Sequence, residues 1–223
     1  MRGIARYTPL IALVPVITAC HIVPQFSASS SSSATPPTSG ASTSGGGSTP
    51  STPATTSPPN SGPLGVLPMP AGAKPWDDNK STPMGLDAFI KAFYVESAFT
   101  KEKALYTQRG FVSGTIQGWI NADGSQQSIA IIKFKGSSGA VSLFDGLTGT
   151  LKDTPKPAKS ITDPADGGVG ISDPTIDSLG NANAEIAAHT GVYVIDVHEF
   201  TASTPDPAAA KALLLRQYQS LKS

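Results

Sequence analysis

The feature that most limits how this chain can fold is a long stretch without large apolar side chains. From Ser27 to Gly62, every residue except Asn60 is Ser, Thr, Pro, Gly or Ala. Such a stretch buries too little apolar surface to offset the entropy lost on folding, so it predicts a disordered tether over 27–62. A Ser/Thr/Pro tract outside the cell is either O-glycosylated or an unmodified spacer, and the sequence leaves both open. Folding is therefore expected only in residues 63–223.

The segment before the tether has the organisation of an export signal. Arg2 and Arg6 give a positive start, and a mainly apolar run follows from Tyr7 to Ala19. This run is too short for a membrane-spanning helix, which needs about 20 residues, and it fits the apolar region of a signal peptide. Residues 1–19 are therefore predicted to be a signal peptide.

The end of this segment, Ile17-Thr18-Ala19-Cys20, resembles the lipobox of bacterial lipoproteins, in which an aliphatic residue, a small residue and Ala or Gly precede a cysteine. The resemblance implies cleavage before Cys20, the only cysteine of the chain, and lipidation of its thiol. Residues 20–26 would then be the lipidated N-terminus, on the outer face of the cytoplasmic membrane. The alternative is an ordinary secretory signal, in which Cys20 is an incidental thiol.

The charge balance excludes one class of partner. Removal of residues 1–19 takes away two arginines and no acidic residue, which leaves 14 basic against 16 acidic residues. A nucleic-acid-binding protein shows a basic excess or stripe, so no nucleic-acid partner is expected. The protein is instead expected to be attached to a membrane through its lipid, with a cell-wall component or a membrane protein as a partner.

Apolar periodicity predicts a single α+β domain over 63–223. A helix is expected after Ser81 or Thr82 as N-cap, with Pro83 in its first turn. Its apolar residues recur at helical spacing: Leu86, Phe89, Ile90 and Phe93. A second short helix is expected from about Lys101 to Arg109.

The remainder of the domain predicts two strand–strand–helix units. In the first, two β-rich runs surround Asn121-Ala122-Asp123-Gly124, a hairpin signal, and a helix follows. In the second, two strand-like runs surround a tight turn near Thr190-Gly191, and a C-terminal helix follows. We expect the four strands to form one antiparallel sheet, with the helices packed on one face. Shorter strands are expected around 160–162 and 168–173.

Motifs for catalysis are absent from the sequence. The spacing Gly-x-Ser-x-Gly of serine hydrolases does not occur, and only His189 and His198 remain in the domain. The prediction is a non-catalytic domain with no cofactor and no metal site. The alternative is an envelope hydrolase with an atypical site, in an Asp-rich loop or near His198. This loop contains Asp163, Asp166, Asp173 and Asp177, which lack Ca²⁺-loop spacing and are expected to form turns.

Three residues of the domain are candidate contacts for a ligand or partner. Asp196 and His198 share one face of a predicted strand, and Glu199 lies on the other face. Asp196 and His198 are expected to be exposed polar residues near a strand end. They could bind a transition metal only with a third ligand, such as His189 across the turn. Trp76 lies in a proline-rich segment and is expected to be an exposed contact.

One stretch of the domain resembles a known group of proteins. "GWINADGSQQSIAIIKFKGSSGAVSLFDGL", from Gly118 to Leu147, combines a Trp strand, an Asp-Gly turn, an apolar strand and a Gly-Ala helix start. It is similar to the small α+β extracytoplasmic domains of actinobacterial lipoproteins and sensor kinases. The resemblance implies a binding or sensing module.

Overall fold

The computed structural model describes residues 63–76, 80–154, 157–163, 165–177 and 179–222. They form a single α+β domain with four helices and an eight-stranded antiparallel sheet, as the sequence predicted. The signal peptide 1–19, Cys20 with residues 20–26, and the tether 27–62 lie outside the described residues. These three assignments stay predictions.

The sheet runs in the order β1-β3-β4-β8-β7-β6-β5, and β2 pairs with β3 on the same edge as β1. The strands are β1 Lys74–Pro75, β2 Lys80–Met84, β3 Phe111–Ile120, β4 Gln126–Phe134, β5 Lys159–Asp163, β6 Gly168–Asp173, β7 Ala182–Thr190 and β8 Tyr193–Thr201. The two hairpins β3–β4 and β7–β8 lie side by side, because β4 pairs with β8. The prediction that both hairpins share one sheet is confirmed.

The helices are α1 Leu86–Phe93, α2 Phe99–Gln108, α3 Ser137–Lys152 and α4 Pro207–Lys222. Gly110, in the left-handed region at φ 77°, follows α2. Asp206 begins α4, because its carboxylate accepts the backbone N–H groups of Ala208 and Ala209 at 3.0 and 2.9 Å. Helix α1 begins later than the sequence predicted: Gly85 is its N-cap, and residues 80–84 form β2 against β3.

Helices cover both faces of the sheet, whereas the sequence predicted helices on one face. Side chains alternate between the faces along β4, so Ile129 and Ile131 pack with α4, while Ala130 and Ile132 pack with α1, α2 and α3. We call these surfaces the α4 face and the α1–α3 face. A central strand with apolar side chains on both faces needs a layer on each side.

Each face of the sheet has its own apolar core. On the α4 face the core includes Ile186, Ile195, Val197, Leu213 and Leu214. On the α1–α3 face it includes Phe89, Ile90, Tyr106, Phe134, Ala140, Leu143 and Val194. Strand β8 lies between the two cores, so every side chain from Val194 to Phe200 is buried.

Candidate functional site

Three ionisable side chains meet on the α1–α3 face of the two central strands β7 and β8. Glu185 of β7 is directly opposite His198 of β8, and Asp196 lies two residues before His198 on the same face. Asp196 is paired across the sheet with Ala130 on one side and Ala187 on the other. These small neighbours leave the Asp196 carboxylate without a cross-strand polar partner. We call Glu185, Asp196 and His198 the acid–histidine cluster.

The acid–histidine cluster is sealed from solvent. The exposed fraction is 5% for Glu185, 0% for Asp196 and 3% for His198. His198 Nε2 lies 3.4 Å from Asp196 Oδ2, and His198 Nδ1 lies 3.9 Å from Glu185 Oε2. Neither nitrogen of His198 and neither oxygen of Asp196 has a hydrogen-bond partner among the described residues. Buried polar atoms are almost always hydrogen-bonded, so this cluster is an exception that needs an explanation.

The electrostatics of the cluster follow from burial and from charge proximity. Burial alone lowers the pKa of His198, but the carboxylates of Asp196 and Glu185 outweigh it and raise that pKa to about 9. Burial raises the pKa of Glu185, the charge of Asp196 raises it further, and His198 opposes both effects. The pKa values of Glu185 and His198 therefore depend on each other.

A pair of tyrosines lies near the cluster on the same face. The hydroxyls of Tyr94 and Tyr106 are 3.0 Å apart and hydrogen-bonded to each other. Burial raises the pKa of Tyr94 well above its usual value, with smaller effects from Tyr106, Glu102 and Asp196. Burial also raises the pKa of Tyr106, and the charges of Glu102 and Asp196 add to it. The hydroxyls of Tyr94, which follows α1, and Tyr106 of α2 therefore interact electrostatically with Asp196.

The acid–histidine cluster is also a set of metal donors. One donor atom from each of its three residues can be chosen so that all lie within 4.8 Å of one another. An imidazole with two carboxylates is a ligand set that zinc and related divalent transition metals accept. The sequence predicted no metal site, and the geometry makes one worth testing.

Glu199 lies on the opposite, α4 face of β8, as the sequence predicted. It is paired with Gln127 of β4 and is 2% exposed. Burial raises its pKa to about 7, and hydrogen bonds to Gln127 and Ser125 oppose this only in part. The neighbouring Trp119 indole donates to Asn121 Oδ1 at 3.1 Å and to Gln127 Oε1 at 3.2 Å.

The expected exposure of the three candidate contact residues is wrong. Asp196 and His198 are buried because β8 is a central strand between two cores. Trp76 is 6% exposed, because its indole packs over Gly118 and lies 6.4 Å, between ring centroids, from Phe200. The Phe200 ring in turn stacks on His198 at 5.6 Å. A role for these residues in contacting a ligand stays a prediction.

The third group beside Asp196 and His198 is Glu185, which the sequence did not single out. His189, the expected third ligand, is opposite Val194 and contacts Phe144 at 5.0 Å between ring centroids. The signal that identifies Glu185 is hairpin register. Thr190 pairs with Tyr193, so the turn is Gly191-Val192, and counting back from that turn places residue 185 opposite 198.

The aspartates of the Asp-rich loop form turns, as the sequence predicted. Asp163, Asp166 and Asp173 each accept the backbone N–H two residues later, at 2.8–2.9 Å, and Asp177 accepts those of Leu179 and Asn181. These carboxylates are therefore used in local turns.

A solvent-open cleft of about 630 Å³ lies at the β5 end of the sheet, beside the start of α4. Its lining combines two lysines, several hydroxyls and apolar residues: Lys159, Ser160, Ile161, Thr162, Ser172, Pro174, Thr204, Pro205, Pro207, Ala208 and Lys211. Among the described residues, this lining contains no carboxylate, imidazole or thiol. The cleft can attract an anionic group, but it offers no general acid or base of those types.

Comparison with known proteins finds no matching family model and no matching curated relative. Among solved structures, the chain is similar to the extracellular domain of PknH from Mycobacterium tuberculosis, with a TM-score of 0.42 and 10% identity. The match covers 52% of this chain and 69% of that one. A likeness of this extent does not assign a function. Among the helices of the described residues, none is both long and apolar enough to cross a membrane.

Proposed function

We propose that this chain is a lipid-anchored extracytoplasmic lipoprotein, whose tether displays a non-catalytic binding domain. The anchor part of the proposal is supported by the lipobox-like sequence that ends at Cys20 and by the tract 27–62 that follows it. The binding part is supported by the cleft beside β5. A lipid at one end and a binding cleft in the folded domain suit a protein that captures a ligand near the membrane surface.

The single observation that carries the binding part is the separation between reactive groups and the open cleft. The acid–histidine cluster is 0–5% exposed, so a substrate cannot reach it from solvent in this conformation. The cleft is accessible, but its lining lacks the acid and base residues on which most hydrolases depend. This arrangement favours binding over hydrolysis.

The chemistry of the cleft indicates its ligand class. The ammonium groups of Lys159 and Lys211 favour an anionic group, and the hydroxyls of Ser160, Thr162 and Ser172 can donate hydrogen bonds to its oxygens. Ile161 and the prolines provide an apolar wall. We infer a small ligand with one anionic end and an apolar body.

A fluorescent probe with this chemistry, anilinonaphthalene sulfonate, tests the cleft. Reversing both charges with Lys159→Glu and Lys211→Glu should weaken its binding to the folded full chain by about tenfold or more, because each lost charge contact is worth about 1 kcal/mol. The matched control reverses two exposed lysines elsewhere, Lys74→Glu and Lys135→Glu. Equal loss in both double variants, or no loss in either, contradicts a cationic cleft.

The anchor is tested separately by intact mass and cell fractionation of the full chain. We expect a diacylglycerol-modified N-terminus at Cys20 and a membrane-bound protein, and we expect Cys20→Ala to prevent both modification and membrane attachment. An unmodified Cys20, with the protein released to the medium, contradicts the anchor. The cleft measurement is unaffected by that result, so the two parts of the proposal fail independently.

A further inference from the structure

We propose that the acid–histidine cluster is a structural binding site for a divalent transition metal, with zinc as the expected ion and Glu185, Asp196 and His198 as ligands. This inference does not depend on the proposed anchor or on the cleft. It concerns a buried site between the sheet and the helices α1–α3, and it assigns a role to residues that the binding function does not use.

The first argument is the unsatisfied state of the donors. His198 and Asp196 are 3% and 0% exposed, and their side-chain nitrogens and oxygens have no hydrogen-bond partner among the described residues. Within that part of the chain, no lysine or arginine forms an ion pair with Glu185 or Asp196. Burying carboxylates is costly unless a cation or hydrogen-bond donors compensate them. A bound divalent ion supplies that compensation.

The second argument is the spacing of the donor atoms. A charge-assisted hydrogen bond between imidazole and carboxylate brings nitrogen and oxygen to about 2.7–2.9 Å. The observed separations are longer, 3.4 Å to Asp196 and 3.9 Å to Glu185. Two donors bound to one tetrahedral zinc at about 2.0–2.1 Å lie about 3.3 Å from each other. The Asp196–His198 separation is therefore close to the spacing of zinc ligands. The Glu185 distance is measured to the other ring nitrogen, but one donor atom from each of the three residues can be chosen so that all lie within 4.8 Å of one another.

The third point concerns the donor that completes the ligand set. Asn183 lies two residues before Glu185 on β7, so both point to the α1–α3 face. Its Oδ1 is buried and has no hydrogen-bond partner among the described residues. Asn183 is four register positions from Asp196, about 13 Å along the strands, which is too far for both side chains to bind one ion. A tetrahedral zinc site needs four donors, so a water is the expected fourth ligand.

The donor types select the class of metal. Calcium and magnesium prefer oxygen ligands alone, whereas an imidazole nitrogen favours zinc and its neighbours in the first transition series. All three ligand side chains come from adjacent central strands, so the expected ion joins β7 to β8 at the middle of the sheet. Because the cluster is sealed, the role inferred for the ion is structural and not catalytic.

The test uses the full chain, purified in detergent, stripped with a chelator and then titrated with zinc chloride. We expect about one zinc ion per chain to remain after gel filtration. At a free zinc concentration about 100 times the dissociation constant, the thermal midpoint should rise by about 5–10 °C. Glu185→Gln and His198→Gln should each weaken zinc binding by about 100-fold or more, because each removes a direct ligand.

Two matched controls separate this site from adventitious binding. His189→Gln removes the other histidine of the domain, and Glu199→Gln removes a buried carboxylate on the opposite face of β8. Both should keep zinc affinity and the thermal shift unchanged. If zinc binding is lost equally in the controls, or persists in folded Glu185→Gln and His198→Gln, the site is not the acid–histidine cluster.

A spectroscopic readout on the unaltered chain covers the case in which the cluster variants fail to fold. Cobalt(II) in place of zinc should give the intense visible bands of a tetrahedral nitrogen–oxygen site, and added zinc should abolish them. X-ray absorption should show one imidazole among the ligands. No cobalt bands and no zinc retention by the stripped, folded chain overturn the proposal, and the cluster is then a buried ion triad.

Discussion

Strands β4 and β8 are neighbours at the centre of one sheet, yet they carry different side chains on the same face. On the α1–α3 face, β4 presents Ser128 and Ala130 directly opposite His198 and Asp196 of β8. Both strands are buried on both faces over most of their length. The uncharged strand β4 contributes to the core without burying a charge on this face, whereas β8 carries the desolvation cost of Asp196 and His198. The stability of β8 therefore depends on what compensates the charges of the acid–histidine cluster.

Removing the single imidazole should have the largest effect on stability. His198→Leu leaves Glu185 and Asp196 buried with no positive partner, so we expect the free energy of unfolding to fall by about 3–5 kcal/mol. Urea denaturation with a chelator present measures this loss. His189→Leu, on the same face and half-buried against Phe144, is the control and should cost far less. A loss below about 1 kcal/mol for His198→Leu contradicts a charged cluster.

Replacing the whole acid–histidine cluster by apolar residues should have the opposite effect on the free energy of unfolding. Combining Glu185→Leu, Asp196→Val and His198→Leu removes the buried charges of the acid–histidine cluster. We expect the metal-free protein to gain about 1–4 kcal/mol, or at least to lose nothing, because apolar replacement of a buried ion group is often neutral or stabilising. Chemical denaturation in the presence of a chelator measures the change. A clear loss would show that the cluster itself stabilises the fold.

Gly118 allows a purely steric test of side-chain packing beside β4 and β8. A side chain at this position would overlap the Trp76 indole, which packs near Phe200 and His198. Gly118→Ala should lower the free energy of unfolding by about 1–3 kcal/mol, as overpacking does. It should also change Trp76 fluorescence. Gly149→Ala, where nothing lies within 4 Å, is the control and should be neutral or stabilising. Equal effects would contradict close packing of Trp76.

The smallest effect is expected at Asp166, a buried carboxyl outside β4 and β8. Burial raises its pKa more than the hydrogen bond from the Gly168 N–H lowers it. A carboxyl whose pKa is raised by folding stabilises the fold at low pH. This contribution is lost as the pH rises through the pKa that the carboxyl has in the folded state. Asp166→Asn should therefore melt higher than the unaltered chain at about pH 7, and no higher at about pH 3. A larger gain at about pH 3 contradicts this sign.

Much of the fold could be predicted from the sequence because its signals are local. The helical spacing of Phe89, Ile90 and Phe93, the Asp-Gly turn at 123–124 and the apolar run of β4 each depend on a few neighbouring residues. The start of α1 could not be predicted in this way. The local sequence of residues 80–84 predicts the start of a helix, but pairing with β3 makes these residues a strand.

The site was predictable only in part, because burial and register are not local properties. The alternation along β8 correctly placed Asp196 and His198 on one face and Glu199 on the other. Polarity suggested an exposed strand, whereas the position of β8 between β4 and β7 buries it on both faces. Glu185 was missed because a tight turn near Thr190-Gly191 pairs different residues from a turn at Gly191-Val192.

The most direct test of the central claim, that β8 carries a metal site, is elemental analysis of the full chain purified from its host membranes without chelators. We expect about one zinc ion, or one related transition metal ion, per chain, and about none in folded His198→Gln. The same metal content in both proteins would contradict the claim. So would an unaltered chain that contains no metal and takes up none when zinc is supplied.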